Sequence, residues 1–275
     1  MEPKLRIRER GPIREIRLHR PEVHNAFDEQ LIAELSDAFG TVRSDVESGQ
    51  DIRAVVLSGE GKSFCAGADL HYMKSIASYG ESENRADAER LARMFLAVRS
   101  CPVYVVAKVQ GAALGGGTGL VAAADRAVAA VSTKFGFTEV RLGIVPAVIS
   151  PFVLERIGAA HGRALFPTGE RFGTEDALRI GLVDQIVPDD GLDEAVDRIL
   201  SAVLAAGPGA SRDAKQLATE VGAALPLPMD ADTPVFQMTA ARIARLRGAP
   251  EGQEGMAAFL EKRRPSWTTD LPEPN

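Results

Sequence analysis

Three consecutive glycines, Gly115-Gly116-Gly117, follow the β-branched run Val103-Tyr104-Val105-Val106-Ala107-Lys108-Val109 and precede a helix-forming stretch. An earlier segment, Ser63-Phe64-Cys65-Ala66-Gly67-Ala68-Asp69-Leu70, also places small residues where a strand ends and a helix can begin. At such a junction the first N–H groups of the helix lack intrahelical partners and point outward, with the positive helix end behind them. Two such ends facing one point make an oxyanion hole, which suits chemistry through an enolate. The carboxylate to go with it is Glu139, flanked by apolar residues in Phe135-Gly136-Phe137-Thr138-Glu139-Val140. Partial burial raises a carboxyl pKa and makes it a competent acid or base near neutrality. Spacing alone leaves a structural ion pair with Arg141 open as the alternative. Cys65 beside the hole is read as a small buried filler rather than a reactive thiol.

Other motifs fail on their spacing. Gly59-Glu60-Gly61-Lys62-Ser63 contains Gly-Lys-Ser, but a P-loop needs a glycine where Val56 stands. Gly117-Thr118-Gly119-Leu120-Val121-Ala122 fits a dinucleotide fingerprint with Glu139 following, yet short strands and a turn intervene where the next parallel strand should carry the acid. There is no Gly-x-Ser-x-Gly elbow. His19, His24, His71 and His161 lack zinc-ligand spacing, so no metal is expected.

The elements that would position these groups alternate along the first two-thirds of the chain. Leu5 to Arg10 and Ile13 to Leu18 read as a hairpin around Gly11-Pro12. Asp28 caps a helix whose apolar positions Leu31, Ile32, Leu35, Ala38, Phe39 and Val42 recur at helical spacing up to Ser48-Gly49. A strand over Ile52 to Leu57, a short helix from Leu70 to Met73 and a longer one from Asn84 to Arg99 precede the Val103 to Val109 strand. A helix ending near Ala123 and strands at Arg126 to Ala130 and Lys134 to Gly136 complete a strand-strand-helix rhythm without sequence repetition. Beyond Pro146 the chain reads as helical, except for a strand over Asp184 to Val187. Its helices are Pro151 to Ile157, Gly162 to Phe166, Thr174 to Ile180, Gly191 to Ala205, Gly209 to Ala224, Asp232 to Leu246 and Gln253 to Arg264, with hinges at Gly207-Pro208-Gly209 and Leu225 to Pro228.

A chain of 275 residues with 45% hydrophobic and 25% charged residues can bury a sizeable core. Its net charge of −6 argues against broad nucleic-acid binding, which needs a basic footprint. No apolar run approaches the ~18 residues of a membrane span, and the first residues lack the apolar core of a signal peptide. With two cysteines outside any Cys-x-x-Cys pair, the expectation is a cytoplasmic protein with reduced thiols.

Taken together, His19-Arg20-Pro21 with Asn25-Ala26, Ser63 to Leu70, Gly111 to Gly117, Phe135 to Pro146 and Phe259-Leu260-Glu261-Lys262-Arg263 resemble the crotonase, or enoyl-CoA hydratase/isomerase, superfamily. The resemblance spans essentially the whole chain. It implies an α/β fold, a crotonase-like spiral of strand-strand-helix turns over residues 1–200, and a helical C-terminal trimerisation region over residues 201–275. It also implies a trimer or dimer of trimers acting on an acyl-CoA thioester, with coenzyme A as part of the substrate and no separate cofactor. Carried over by position, the N–H groups of Ala66 and Gly116 would hold the thioester oxygen. Ala66, Gly67, Ala68 and Asp69 would line the acyl-CoA site, and Phe259 and Lys262 would reach coenzyme A from a neighbouring subunit.

One departure stands out. Typical hydratases carry two glutamates, and this chain keeps Glu139 but has Gly119 in place of the other. Gly119-Leu120 and the run Glu139 to Ser150 resemble the bacterial methylglutaconyl-CoA hydratase branch, which interconverts 3-methylglutaconyl-CoA and 3-hydroxy-3-methylglutaryl-CoA in leucine breakdown. Gly119 then either relieves repulsion of the substrate's own carboxylate or makes room for its 3-methyl group. Enoyl-CoA isomerisation, hydration of an isohexenylglutaconyl-CoA or a general enoyl-CoA, and an acyl-CoA-binding subunit without catalysis stand as alternatives.

Overall fold

The computed structural model describes residues 2–226, 230 and 233–273. The chain forms two compact units, one running to Asp197 and the other Arg198–Glu273, so the division falls inside a helix.

The first unit is α/β with two mixed sheets. β1 (Leu5–Arg10) and β2 (Ile13–Leu18) are the antiparallel hairpin, and β2 then pairs in parallel with β3 (Ala54–Gly59). β4 (Tyr104–Val109), β6 (Arg126–Ala130) and β9 (Gln185–Val187) extend the same sheet in parallel, in the order β1-β2-β3-β4-β6-β9. Every residue of β3 is buried, as expected for a central strand covered on both faces. Parallel neighbours need crossovers, and these are helices. α1 (Glu29–Glu47) joins β2 to β3, and α2 (Leu70–Ile76) and α3 (Glu81–Arg99) join β3 to β4. α1 buries the six residues its spacing singled out, and the Asp28 carboxylate accepts the Leu31 N–H at 2.9 Å.

The smaller sheet consists of β5 (Ala112–Leu114), β7 (Lys134–Gly136) and β8 (Arg171–Phe172). Neither β5 nor β8 was expected from the sequence. Between β5 and β6 lies α4 (Gly116–Ala123), buried from Gly117 onward. After β7 a 3-10 turn, Thr138–Leu142, leads through an exposed apolar stretch to α5 (Ser150–Leu165), which is interrupted at Gly158 where φ is 76°. α6 (Thr174–Arg179) precedes β9, and α7 (Leu192–Ala205) follows it across the division.

The second unit holds the end of α7 with α8 (Pro208–Ala223), α9 (Pro234–Gly248) and α10 (Pro250–Leu260). The last three begin with proline, whose missing N–H costs nothing in the first turn. Glu251 of α10 closes the N-terminus of α8 by accepting the N–H groups of Gly209 (2.9 Å) and Ala210 (2.7 Å). The expected helix start at Asp232 and part of the Leu225 to Pro228 hinge lie outside the described residues. Among the described residues no helix is long and apolar enough to cross a membrane.

Candidate active site

The two small-residue segments lie side by side. Phe64 N–H donates to the Gln110 carbonyl (2.8 Å), Cys65 N–H to Ala112 (3.0 Å), and Leu114 N–H returns to Cys65 (3.0 Å). These bonds carry the first segment along β5 until both chains reach their glycines. A β-carbon on Gly67 would stand 3.0 Å from the Leu114 carbonyl, and one on Gly117 only 2.1 Å from that of Cys65. Only glycine permits this approach.

Within the first segment the backbone decides which amide is available. Ala66 N–H donates to the His24 carbonyl at 3.0 Å, so it is engaged and does not serve as the expected donor. Gly67, at φ 94°, then turns the chain. Phe27 pairs with the next stretch in parallel, its N–H donating to Gly67 (2.7 Å) and its carbonyl accepting from Asp69 (2.8 Å). In that pairing Ala68 turns its own N–H away from Phe27. Ala68 is exposed, and its N–H has no acceptor among the described residues. On the other side Gly116 is the first residue of α4, half-buried, with an N–H that likewise has no acceptor.

Asp69 does not line an open site either. It is 4% exposed, pairs with Arg20 at 2.9 Å and caps α2 by accepting the N–H groups of His71 (2.7 Å) and Tyr72 (3.3 Å). Burial pushes its carboxyl up, but those two amides and the guanidinium outweigh it and hold Asp69 below the usual carboxylate range. Tyr72 is committed as well, donating to the buried Asp87 at 2.5–2.6 Å.

Glu139 lies in the 3-10 turn after β7, and the β5–β7 pairing brings it to α4. Its Oε1 lies 3.2 Å from where a β-carbon on Gly115 would stand, next to the Gly116 amide. It makes no ion pair with Arg141 or with any other cation among the described residues. Its Oε2 is buried without a hydrogen-bond partner. Burial raises its pKa, opposed only by a hydrogen bond from its own N–H.

Gly119 lies one turn along α4 from Gly115, to which its N–H donates at 3.1 Å. It provides no room for a substrate. A β-carbon there would stand 2.5 Å from Ile149 Cγ2 and 3.0 Å from Phe95 Cε1, and both side chains are buried. Phe27 and Phe95 meet edge to face at 6.2 Å, and the Phe27 ring lies on Gly116, 2.8 Å from a would-be β-carbon. The glycines of α4 thus receive a carboxylate at Gly115 and an apolar wall at Gly116 and Gly119. Sequence reasoning missed Phe95 and Ile149 as the groups that fill this face, because nothing in their spacing distinguishes them from ordinary core residues.

Phe259 lies in the last turn of α10 and Lys262 two residues beyond its end, both in the second unit. Phe259 is 82% and the adjacent Leu260 79% exposed, and Lys262 takes a left-handed conformation with φ 56°.

The model of the enoyl-CoA hydratase/isomerase family matches residues 8–270. The chain belongs to that family. Enoyl-CoA hydratase/isomerase chemistry on acyl-CoA thioesters is the activity this membership carries. A relative from Rhodobacter capsulatus described as a probable enoyl-CoA hydratase is 36% identical over 260 residues, covering 92% of this chain and 93% of that protein. A crotonyl-CoA hydratase from Syntrophomonas wolfei is 32% identical over 254 residues, covering 90% and 91%. Among solved structures, an enoyl-CoA hydratase/isomerase (crotonase) from Legionella pneumophila, itself described as putative, superposes with a TM-score of 0.89 at 38% identity, covering 96% of this chain and 98% of that one. The fold is therefore the crotonase fold.

Proposed function

We propose that this family member hydrates an acyl-CoA whose acyl chain carries its own carboxylate, 3-methylglutaconyl-CoA foremost, to give 3-hydroxy-3-methylglutaryl-CoA. The thioester oxygen accepts from the N–H groups of Ala68 and Gly116. Glu139 holds the water and takes its proton as the oxygen bonds to C3. The double-bond electrons move onto the α-carbon and thioester oxygen, and Glu139 returns the proton to the α-carbon. Negative charge develops on the thioester oxygen during this step, which is where two preorganised donors help most.

The observation that carries the substrate assignment is the filled face of Gly119. A second glutamate within ~4 Å of the substrate's distal carboxylate would repel it by about 4 kcal/mol at an effective dielectric near 20. Ile149 and Phe95 occupy the space such a glutamate would need. The same packing speaks against the explanation that Gly119 exists to admit a 3-methyl group. Tyr72 is not the partner of the distal carboxylate, because its hydroxyl is held by Asp87.

The second unit serves assembly in this reading. The exposed Phe259 and Leu260 suit a contact between copies in a trimer or dimer of trimers, with Phe259 and Lys262 reaching the coenzyme A of a neighbour. The cytoplasm is the proposed compartment.

A second reading, enoyl-CoA isomerisation, is favoured by the lone carboxyl, since one group that takes and returns a proton also moves a double bond. Mass spectrometry after incubation with 3-methylglutaconyl-, crotonyl- and isohexenylglutaconyl-CoA separates them. The proposal expects addition of one water, fastest on 3-methylglutaconyl-CoA. An isobaric product, or crotonyl-CoA as the best substrate, overturns it.

A further inference from the structure

Beside Ala68 stands the loop Arg20–Phe27, which makes several of the bonds that shape the Ser63–Asp69 segment. His24 and Asn25 both take left-handed conformations, with φ of 53° and 55°. Two consecutive non-glycine residues in that region persist only where the surroundings hold them. What holds them is the side chain of Asn25, which is 0% exposed. Its Oδ1 accepts the Arg20 N–H at 2.8 Å, and its Nδ2 donates to the carbonyls of Glu60 (2.9 Å) and Ser63 (2.8 Å). One amide therefore fastens the loop to itself and to the start of the small-residue segment.

The consequences run directly to the candidate site. With Asn25 in place, the His24 carbonyl takes the Ala66 N–H, and Phe27 pairs across Ala68 from both sides. Arg20 adds its guanidinium, bonding the Ala26 carbonyl at 2.5 Å and the Asp69 carboxylate at 2.9 Å. Those that reach the small-residue segment use polar groups of Ala66, Gly67 and Asp69, on either side of Ala68, and none uses the Ala68 N–H. The Phe27 ring meanwhile rests on Gly116. A single residue thus has its backbone paired with Ala68 and its ring against Gly116.

We propose that Asn25 is a positioning residue that sets the Ala68 amide relative to Gly116, acting through Phe27. This rests on the reading of those two amides as the donors to the thioester oxygen. A buried polar network of this kind holds one geometry while fully satisfied and loses it when one member goes. Donor placement matters steeply, since a shift of ~1 Å costs on the order of 10²-fold in rate. Asn25 itself touches no substrate.

Two variants test this. Asn25→Gly tolerates the positive φ but deletes all three side-chain bonds, and Asn25→Asp keeps the shape while setting an oxygen against two carbonyls. Three readouts are taken on folded protein, checked by thermal unfolding. They are kcat and KM, the red shift of an enoyl-CoA whose chromophore is conjugated with the thioester carbonyl, and affinity for an S-alkyl-CoA thioether lacking the carbonyl. A positioning role lowers kcat by roughly 10–100-fold and reduces the red shift, with thioether affinity unchanged. A full red shift in the variants, or thioether affinity falling in step with kcat, overturns it. If the wild-type protein itself gives no red shift, the donor reading fails instead. Should neither variant fold, Phe27→Leu carries the test with Asn25 intact. A reduced shift at unchanged thioether affinity then supports the proposal, and a full shift overturns it.

Discussion

The carboxylate of Glu139 rests against Gly115, with Oε1 3.2 Å from the point a β-carbon on that glycine would occupy. Any side chain at position 115 would displace it. The acid is thereby held one residue from the Gly116 amide, in surroundings that favour its neutral form. The pH dependence follows. Catalysis that begins with Glu139 as base rises with pH, with an acid limb above the ~4.3 of an ordinary glutamate. A kcat/KM profile on any hydrated enoyl-CoA measures it.

Stability follows with the opposite sign. Because the folded-state pKa is raised, the contribution of the Glu139 proton is complete below the ordinary carboxylate pKa and is lost as pH rises through the raised value. Glu139→Gln removes this loss. The variant is expected to unfold at higher urea than wild type at neutral pH, with the gap closing below a pH of about 4. Equal midpoints at neutral pH would show that burial does not strain the carboxylate.

Ala66 and Ala68 are separable by proline, which deletes one N–H at either position. The Ala66 N–H is bonded to His24, so Ala66→Pro costs stability. Ala68 has no such bond to lose, and Ala68→Pro is expected to lower kcat by about 10²–10³, the usual loss for one oxyanion donor. Thermal unfolding and turnover of both variants check this. Unchanged kcat in folded Ala68→Pro would sink the assignment.

Gly119→Glu alone does not restore a second acid. The new side chain meets Ile149 and Phe95, and overpacking of this kind typically costs about 1–3 kcal/mol. The expected result is a lowered unfolding midpoint, partly recovered by Gly119→Glu with Ile149→Ala. A Gly119→Glu variant as stable as wild type would mean that the slot is open.

Cys65 is fully buried, and burial pushes its thiol up to about 12. Iodoacetamide at a pH of about 8 is therefore expected to leave it unmodified in the folded protein and to label it in denaturant. Labelling of native protein, read by mass spectrometry of the peptide, would contradict the packing around the hole.

The elements were legible where periodicity and capping are strong. Asp28 and the six apolar positions behind it define α1 correctly, and the strands Arg126 to Ala130 and Lys134 to Gly136 coincide with β6 and β7. β5 and β8 were not legible, because they are held by their partners rather than by propensity. At the site, residue types located both small-residue segments and the apolar setting of Glu139. The expected donor Ala66 proves engaged, because a carbonyl from His24, 42 residues earlier, takes its N–H just before the turn at Gly67. The resemblance places Asp69 in the acyl-CoA site, yet an arginine 49 residues away in the chain claims it. Gly119 read as an empty position, and only the tertiary fold supplies the two side chains that fill it.

Proton exchange at the α-carbon tests the central claim most directly, because it needs both the donors that stabilise an enolate and the one carboxyl that carries the proton. A 3-hydroxyacyl-CoA, 3-hydroxy-3-methylglutaryl-CoA first, incubated in deuterated water should take up deuterium at the α-carbon with wild-type protein. In Glu139→Gln the uptake should fall by about 10²–10⁴, the range for loss of a general acid-base group, while the thioester still binds. Deuterium uptake that persists at the wild-type rate in Glu139→Gln would contradict the account.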